Sequence, residues 1–241
     1  MNDTLLQLST LLPADIRHNP SLRNLSLRAH DIPSRTRLVM SGSVPKRMYF
    51  VASGWLSAST RLSDGGAPIN MLRIRGDIAG LDCIHRDKAV HDITTLTPAE
   101  LISVPLEEWR DAMSDDEALC AFVMSELCRD VCELSVMNAV IGRYKAPRRL
   151  AVLLHTLLER VRATYHDGID TLTLPLTQEE IGLVLGLTNV SVNRAFRTLE
   201  QDGLVRTGRQ SVTIVDEKRL VETMGIGALS PLVMPVLARS A

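Results

Sequence analysis

The sequence predicts an α+β protein with a β-rich first half and a helical second half. Two observations lead to this fold class. Between residues 22 and about 106, short apolar stretches are separated by Gly, Pro, Ser and Asp, which is typical of strands and turns. Between residues 115 and 144, the chain has no Pro and a single Gly, and helical periodicity replaces alternation. The length of 241 residues, 45% of them apolar, suits two small domains and excludes disorder as the main state.

Net charge excludes a global electrostatic attraction to any one class of partner. The chain has 27 basic and 28 acidic residues, so a nucleic-acid contact has to come from a local patch. The sequence has neither a signal-peptide pattern nor the roughly 20 consecutive apolar residues of a membrane span, so we expect a cytoplasmic protein with no membrane partner. Four cysteines without a C-x-x-C pair are too few for a disulfide scaffold, and we expect reduced thiols.

The β-rich half contains one strong hairpin signal. Residues 47–56 and 69–74 form two strand-like runs, and the turn sequence DGG at residues 64–66 lies between them. Asp-Gly and Gly-Gly pairs supply the positive φ angles that tight hairpin turns require. The sequence therefore predicts a β-hairpin here.

The long helix that follows has a heptad pattern of apolar residues. Met124, Val131 and Asn138 take position a, and Cys120, Leu127, Leu134 and Ile141 take position d. Val at a, Leu at d and a single Asn at a favour a parallel two-stranded coil, so we expect a homodimer with this seam as its interface. The alternative is an ordinary helix buried on its own domain. Cys128, Cys132 and Ala139 form a second apolar face, which we expect to pack on the β domain.

Two further helices and a tight turn follow the long helix. Pro147 ends the long helix and starts the next one, so residues 142–147 are the expected hinge between domains. Asp167 and Gly168 close the second helix. Thr177 and Glu180 then have the spacing of a capping box, which starts a helix that ends at Gly186.

The next segment completes a helix-turn-helix pattern with a wing. Val192, Phe196 and Leu199 lie on one face of a second amphipathic helix. The residues expected on its exposed face are able to reach base edges or phosphates: Asn189, Val190, Asn193, Arg194 and Arg197. Residues 204–215 then alternate around Thr207 and Gly208, which predicts a two-stranded wing carrying Arg206 and Arg209. Local charge is only mildly favourable, since residues 143–216 hold ten basic and eight acidic side chains.

These features together resemble the Crp/Fnr superfamily of bacterial transcription regulators. The most specific stretch is LTQEEIGLVLGLTNVSVNR at residues 176–194, and VASGWL at residues 51–56 and GDIAG at residues 76–80 are similar to the glycine turns of the family's sensor domain. The resemblance implies an N-terminal β jelly-roll, cyclic-nucleotide-binding-like sensor domain, a long dimerisation helix and a C-terminal winged helix-turn-helix. The corresponding boundaries are residues 1–113, 114–144 and 147–216, with a tail at 217–241.

The resemblance also implies roles for single residues at the DNA. Arg194 stands at the position of an Arg that donates to guanine, whereas Val190 replaces a Glu that accepts from cytosine. We expect base contacts from Asn189, Val190, Asn193 and Arg194, and phosphate contacts from Thr177, Arg197, Arg206 and Arg209. Double-stranded DNA is the expected partner, with RNA polymerase as a further partner if the protein is an activator.

The expected effector pocket departs from the family members that bind cyclic AMP. Leu81, directly after Gly80, replaces a Glu that holds the ribose, and His91 and Asp92 replace an Arg-Ser pair that neutralises the phosphate. Asp92 would repel the phosphate, so we do not expect cyclic-AMP binding. Ser135 on the long helix is the remaining pocket candidate. An unknown small effector and a constitutive protein whose pocket is filled by its own side chains both stay open.

Other activities have little support in the sequence. Residues 1–82 contain no Cys for an iron-sulfur cluster, the histidines are isolated, and no hydrolase, zinc-protease or phosphate-loop motif is present, so neither a cofactor, a metal nor an enzyme is expected. An intersubunit disulfide at Cys120 stays open. A ligand-sensing module without DNA binding is the alternative, and the capping box, second helix and wing argue against it.

Overall fold

The structure of the protein is a computed structural model that describes residues 3–165 and 168–225. The described residues form two compact units that divide between Cys128 and Arg129, and each unit is described by itself. The predicted α+β class is confirmed, with the strands of a sensor-like domain first and a helix-turn-helix last. The predicted domain boundaries stay a prediction. Residues 226–241 of the predicted tail lie outside the described residues.

The first unit is a jelly roll of two four-stranded antiparallel sheets. Its strands are β1 (Arg28–Ile32), β2 (Arg37–Val39), β3 (Arg47–Ser53), β4 (Leu56–Ser59), β5 (Ile69–Arg73), β6 (Ile78–Ala79), β7 (Asp92–Thr95) and β8 (Ala99–Pro105). One sheet has the order β1-β8-β3-β6 and the other the order β2-β7-β4-β5. Apart from the β4–β5 pair, neighbouring strands in each sheet are not consecutive in sequence, which is how a jelly roll closes two Greek keys into a sandwich.

The predicted hairpin is confirmed, but the strand run before it is divided. β4 pairs with β5 from Leu56 opposite Arg73 to Ser59 opposite Ile69. Residues 47–56 do not form one strand, since β3 ends at Ser53 and β4 begins at Leu56, in the other sheet. Gly54 and Trp55 carry the chain from one sheet to the other.

Two helices absent from the sequence prediction cover the core of this unit. They are α1 (Asp3–Ser9), which buries Leu8, and α2 (Leu106–Asp115), which buries Trp109. The ring of Trp109 meets the ring of Phe50 from β3 edge to face, with 5.6 Å between ring centroids. Both side chains are almost fully buried, and aromatic pairs of this kind add about 0.5–1.5 kcal/mol beyond area burial.

The predicted long helix is α3 (Glu117–Arg143), which contains the division between the two units. Asp116 caps its start, because the carboxylate accepts hydrogen bonds from the backbone N–H groups of Ala118 and Leu119 at 3.0 and 3.1 Å. The next helix, α4 (Ala146–Tyr165), carries Pro147 in its first turn, where the missing N–H costs nothing.

The second unit packs short helices and a small sheet around α4. Its other elements are β9 (Thr171–Thr173), α5 (Gln178–Leu185), α6 (Asn189–Gln201), β10 (Val205–Gly208), β11 (Ser211–Ile214) and α7 (Glu217–Met224). The sheet has the order β10-β11-β9, so the predicted two-stranded wing has a third strand. Within the described ranges, none of the helices is long and apolar enough to cross a membrane.

Candidate nucleic-acid interface

Helix α5 begins at the predicted capping box. The Thr177 hydroxyl accepts from the Glu180 backbone N–H at 3.1 Å, and the Glu180 carboxylate accepts from the Thr177 backbone N–H at 2.7 Å. The Thr177 hydroxyl also donates to that carboxylate at 3.0 Å. Both donors of Thr177 are therefore engaged within the chain. Thr177 was expected to contact phosphate, and here its main role is to start α5.

The turn between the two helices depends on two glycines. Gly186 ends α5 in the left-handed region, with φ of 62°, as the sequence predicted. Gly182, which the sequence analysis did not single out, lies where the turn folds back on α5. A Cβ atom at Gly182 would be 2.5 Å from the carbonyl oxygen of Leu187. The missed signal was a Gly inside an otherwise apolar helical run, which often marks a close backbone approach.

Helix α6 separates a buried face from an exposed face. Val192, Ala195, Phe196 and Leu199 are buried, as predicted for three of the four. On the opposite side, Asn189, Val190, Arg194 and Arg197 are exposed and Asn193 is half-buried. Val190 keeps 60% of its surface exposed although it is apolar. The Thr188 side chain caps α6 by accepting from the Ser191 backbone N–H at 3.3 Å.

The wing turns two residues later than the sequence suggested. Thr207 and Gly208 belong to β10 and pair with Val212 and Ser211, so Arg209 and Gln210 form the turn. Gln210 has φ of 57° there. Arg206 and Arg209 are exposed, in agreement with a contact to an external ligand. Thr207 is tied to the end of α6, since its backbone N–H donates to the Glu200 carboxylate at 3.0 Å.

A groove of mixed polar and apolar lining runs between α6 and the wing. Its volume is about 320 Å³, and Gln178, Asn193, Arg197, Glu200 and Thr207 are among its lining residues. The groove therefore joins the exposed face of α6 to the first strand of the wing. One cation, Arg197, and one carboxylate, Glu200, lie in it three residues apart on the same helix.

The predicted dimer seam on α3 is only partly exposed. Met124, Val131 and Asn138 are exposed, with 53% of Met124 and 62% of Val131 accessible. The position d residues Cys120, Leu127, Leu134 and Ile141 are half-buried. Leu127 packs against the apolar core of its own jelly roll, and a methyl group of Ile141 lies beside Gly186.

The exposed line of residues on α3 differs from the predicted seam, because each position d residue is replaced by the residue that follows it in the sequence. The residues of this line are spaced alternately three and four apart, and none of them is charged. We call them the α3 stripe: Ala121, Met124, Cys128, Val131, Ser135, Asn138 and Gly142. The prediction that Cys128 and Ala139 pack on the β domain as part of a second apolar face is wrong, since both are exposed. The buried face instead holds Leu119, Phe122, Val123, Val136 and Val140.

The expected pocket residues of the jelly roll already have partners within the chain. Leu81 is buried in the apolar core, and Gly80 precedes it in the left-handed region. His91 Nδ1 lies 3.0 Å from a carboxylate oxygen of Asp82. Asp92 accepts from the Ser41 backbone N–H at 2.8 Å and from Arg61 at 2.6 Å. Ser135 is exposed on the α3 stripe.

A buried thiol and a cluster of one histidine and two carboxylates are two other groups with possible chemistry. Burial raises the pKa of the Cys83 thiol to about 12, so it is an inert thiol. Among residues 3–165 and 168–225, His155, Glu159 and Glu217 are close enough together to hold a metal ion. Arg162 already donates to Glu159 at 2.8 Å and to Glu217 at 2.7 Å. The group is therefore a charge-compensated link between α4 and α7.

Two family models match the chain. The model of the cyclic nucleotide-binding domain matches residues 30–116, and that of the Crp-like helix-turn-helix domain matches residues 148–223. The transcriptional regulatory protein btr of Bordetella pertussis is 28% identical over 178 residues, which are 74% of this chain and 73% of the relative. A CRP-like cAMP-activated global transcriptional regulator of Mycobacterium tuberculosis is 27% identical over 80% of this chain and 87% of its own. The solved structure of FixK2 from Bradyrhizobium japonicum shares the fold, with a TM-score of 0.76 at 20% identity over 83% of this chain and 98% of that one.

Proposed function

Because the chain belongs to the Crp/Fnr superfamily of DNA-binding transcription regulators, we propose that it acts as a homodimer on a two-fold symmetric promoter site. Proteins of this superfamily are transcription regulators, and we expect this one to act in the cytoplasm and not as an enzyme. RNA polymerase is the further partner if the protein activates transcription. Each subunit reads one half-site with α6.

The observation that carries this proposal is the exposed face of α6. Its buried face fixes the helix on α4, so Val190 and Arg194 point away from the protein together, one turn apart. An Arg at this place is able to donate two hydrogen bonds to a guanine, and the Val190 side chain suits a thymine methyl group. Asn189 and Asn193 lie beside them, and an Asn is able to grip adenine. We expect half-sites that keep one guanine and prefer A·T at the neighbouring pair.

Phosphate contacts come from the cations around this face. Arg197 follows Arg194 by one turn, and Arg206 and Arg209 are exposed on the wing. These contacts supply affinity that is independent of sequence and dependent on salt. Thr177 has a smaller part, since its donors are engaged in the cap of α5.

The α3 stripe is the proposed interface between subunits. It keeps Met124, Val131 and Asn138 from the sequence prediction and replaces the half-buried position d residues with Ala121, Cys128, Ser135 and Gly142. An uncharged face that leaves Val131 62% exposed is unusual on a monomer helix and suits burial by a partner helix. Cys128, rather than Cys120, then faces its symmetry mate.

Cyclic AMP is not required in this proposal. Leu81 occupies the place of a ribose-binding Glu and belongs to the apolar core. The Asp92 carboxylate would lie close to a bound phosphate, and it already neutralises Arg61. We expect isothermal calorimetry to give no micromolar or tighter dissociation constant for cyclic AMP, and such a constant would contradict this part of the proposal.

A footprint tests the two-fold arrangement. The full chain, without added nucleotide, is bound to genomic fragments that it shifts in a gel, and hydroxyl-radical cleavage maps the protected backbone. We expect two symmetric protected regions about one helical turn, 10–10.5 base pairs, apart. A single protected half-site, or binding that shows no sequence preference over random fragments, would contradict the proposal.

A further inference from the structure

A carboxylate near the end of α6 contacts the first strand of the wing. One oxygen of Glu200 accepts two hydrogen bonds from Thr207: one from its backbone N–H at 3.0 Å and one from its hydroxyl. The hydroxyl contact and then the backbone contact hold the pKa of Glu200 below its usual range. The carboxylate is therefore charged and engaged at neutral pH.

The outer half of β10 is held by backbone pairing with β11, and the Gln210 carbonyl in the turn accepts from the Leu174 backbone N–H at 2.9 Å, but its side chains have little apolar support. Val205 is buried at its start, whereas Arg206, Thr207 and Gly208 are exposed, as are Arg209 and Gln210 of the turn. The neighbouring strand β11 contributes the buried side chains Val212 and Ile214. The base of the wing therefore has an apolar anchor, the sheet holds β10 through its backbone, and the Glu200–Thr207 contact is a side-chain link from its outer half to α6.

The charge of Glu200 argues against a direct contact with DNA. The residue is exposed in the groove between the two elements proposed to face the duplex, where a carboxylate would repel phosphates. Arg197, three residues earlier on α6, partly offsets this charge. A carboxylate in such a place is best explained by what it does within the protein.

We propose that Glu200 is a positioning residue that fixes the wing against the recognition helix and so places Arg206 and Arg209 on the DNA backbone. The inference rests on the proposed function, because it assigns phosphate contacts to those two arginines. Without the link, we expect the outer half of the wing to shift relative to α6, so that the two cations lose the DNA backbone while Arg194 still reads its base. Base preference and phosphate contact are then separable properties.

The test compares two substitutions that remove the same charge. Glu200→Gln keeps an acceptor oxygen for Thr207, and Glu200→Ala removes it. Affinity for one selected site is measured by fluorescence anisotropy as a function of salt, where each phosphate contact contributes about 0.9 to the slope of log K against log salt. We expect Glu200→Ala to lower the slope by up to about 4 for a dimer that loses two contacts in each subunit. Glu200→Gln should keep most of the wild-type slope.

Three references make the outcome interpretable. The Arg206→Ala/Arg209→Ala protein should show the same lowered slope, and adding Glu200→Ala to it should change nothing further. Glu222→Gln, on the exposed side of α7, removes a distant carboxylate and should leave the slope unchanged. The base preference of Glu200→Ala in a site selection should remain that of the wild type, whereas general destabilisation would lower the melting temperature and the active fraction without changing the slope.

A wild-type slope for Glu200→Ala, or an equal loss in Glu200→Gln, overturns the positioning role. Failure of the wild type to bind any selected site contradicts the proposed function instead. If Glu200→Ala does not fold, hydrogen exchange at the Thr207 amide of Glu200→Gln and wild type decides. Protection in both supports the link, and rapid exchange in the wild type contradicts it.

Discussion

Val131 offers the sharpest test of the proposed subunit interface, because the sequence and the structure place that interface differently. The sequence alone puts Leu127 and Val131 in the same seam. In the structure Leu127 packs on the core of its own jelly roll, whereas 62% of the Val131 surface is exposed. Substituting each residue with Lys therefore distinguishes a residue that holds the dimer from one that holds the fold.

The expected effect of Val131→Lys follows from that exposure. Complete burial of a Val side chain contributes about 1.5–3 kcal/mol, so burying the 62% still exposed contributes about 1–2 kcal/mol per subunit. Two copies then contribute about 2–4 kcal/mol, which is roughly a 30- to 700-fold change in the dimer dissociation constant. A lysine without a partner in the seam adds to this loss. We expect a folded monomer.

Sedimentation velocity over a range of concentrations measures the dissociation constant, and circular dichroism reports the fold. Leu127→Lys should lower the melting temperature because it places a charge against an apolar core. Oxidative cross-linking adds an independent readout, since the wild type should cross-link through Cys128, and Cys128→Ser should abolish the product while Cys120→Ser should not. A Val131→Lys protein with the wild-type dissociation constant, or cross-linking through Cys120, would refute the α3 stripe as the interface.

Three further predictions concern the folded state. Thr177→Ala should lower the free energy of unfolding by about 1 kcal/mol in urea titrations, because it removes the cap of α5, and an unchanged value would contradict the importance of the cap. Gly182→Ala should cost about 1–3 kcal/mol, since its Cβ would meet the Leu187 carbonyl oxygen at 2.5 Å; undiminished stability would show that the turn adjusts freely. Burial and then the charges of Arg47 and Arg28 hold the pKa of His30 below its ordinary value of 6.5. His30 therefore binds fewer protons in the folded state than in the unfolded chain. Its contribution to the free energy of unfolding is at its maximum above pH 6.5 and is lost as the pH drops below that value. The His30→Gln protein should lose this dependence, and a wild type equally stable at pH 7.5 and 5.5 would contradict it.

The helix-turn-helix could be predicted from sequence because its signals are local. The capping box at Thr177, the glycine at 186 and the apolar spacing of Val192, Phe196 and Leu199 each act within a few residues, and each is present in the structure. For the third strand β9, the sequence LTLPL at residues 172–176 predicts only a short strand or an extended entry into α5. Its pairing with β11 joins residues about 40 positions apart, which local pattern does not reveal.

The α3 seam shows the limit of periodicity as a guide. A heptad pattern reports that a helix has apolar faces, but it does not report which face the chain covers with its own residues. The heptad pattern assigns Leu127 to the seam because it is apolar, whereas in the structure it packs against the core of its own jelly roll. The sequence pattern assigned Cys128 to a second apolar face and Ser135 to the effector pocket, whereas both are exposed in line with Val131. The jelly-roll topology, by contrast, was expected from the family resemblance rather than from strand patterns.

The central claim is that α6 reads a two-fold symmetric site, and selection of sites from a random DNA pool tests it most directly. Wild type and Arg194→Ala are selected in parallel at the same salt concentration. For the wild type we predict a symmetric motif with one guanine in each half-site and A·T preferred next to it. Arg194→Ala should keep the half-site spacing and lose the guanine preference, at a cost of about 1–3 kcal/mol per half-site. A strict cytosine requirement opposite Val190, an asymmetric motif, or an unchanged preference in the Arg194→Ala protein would contradict the claim.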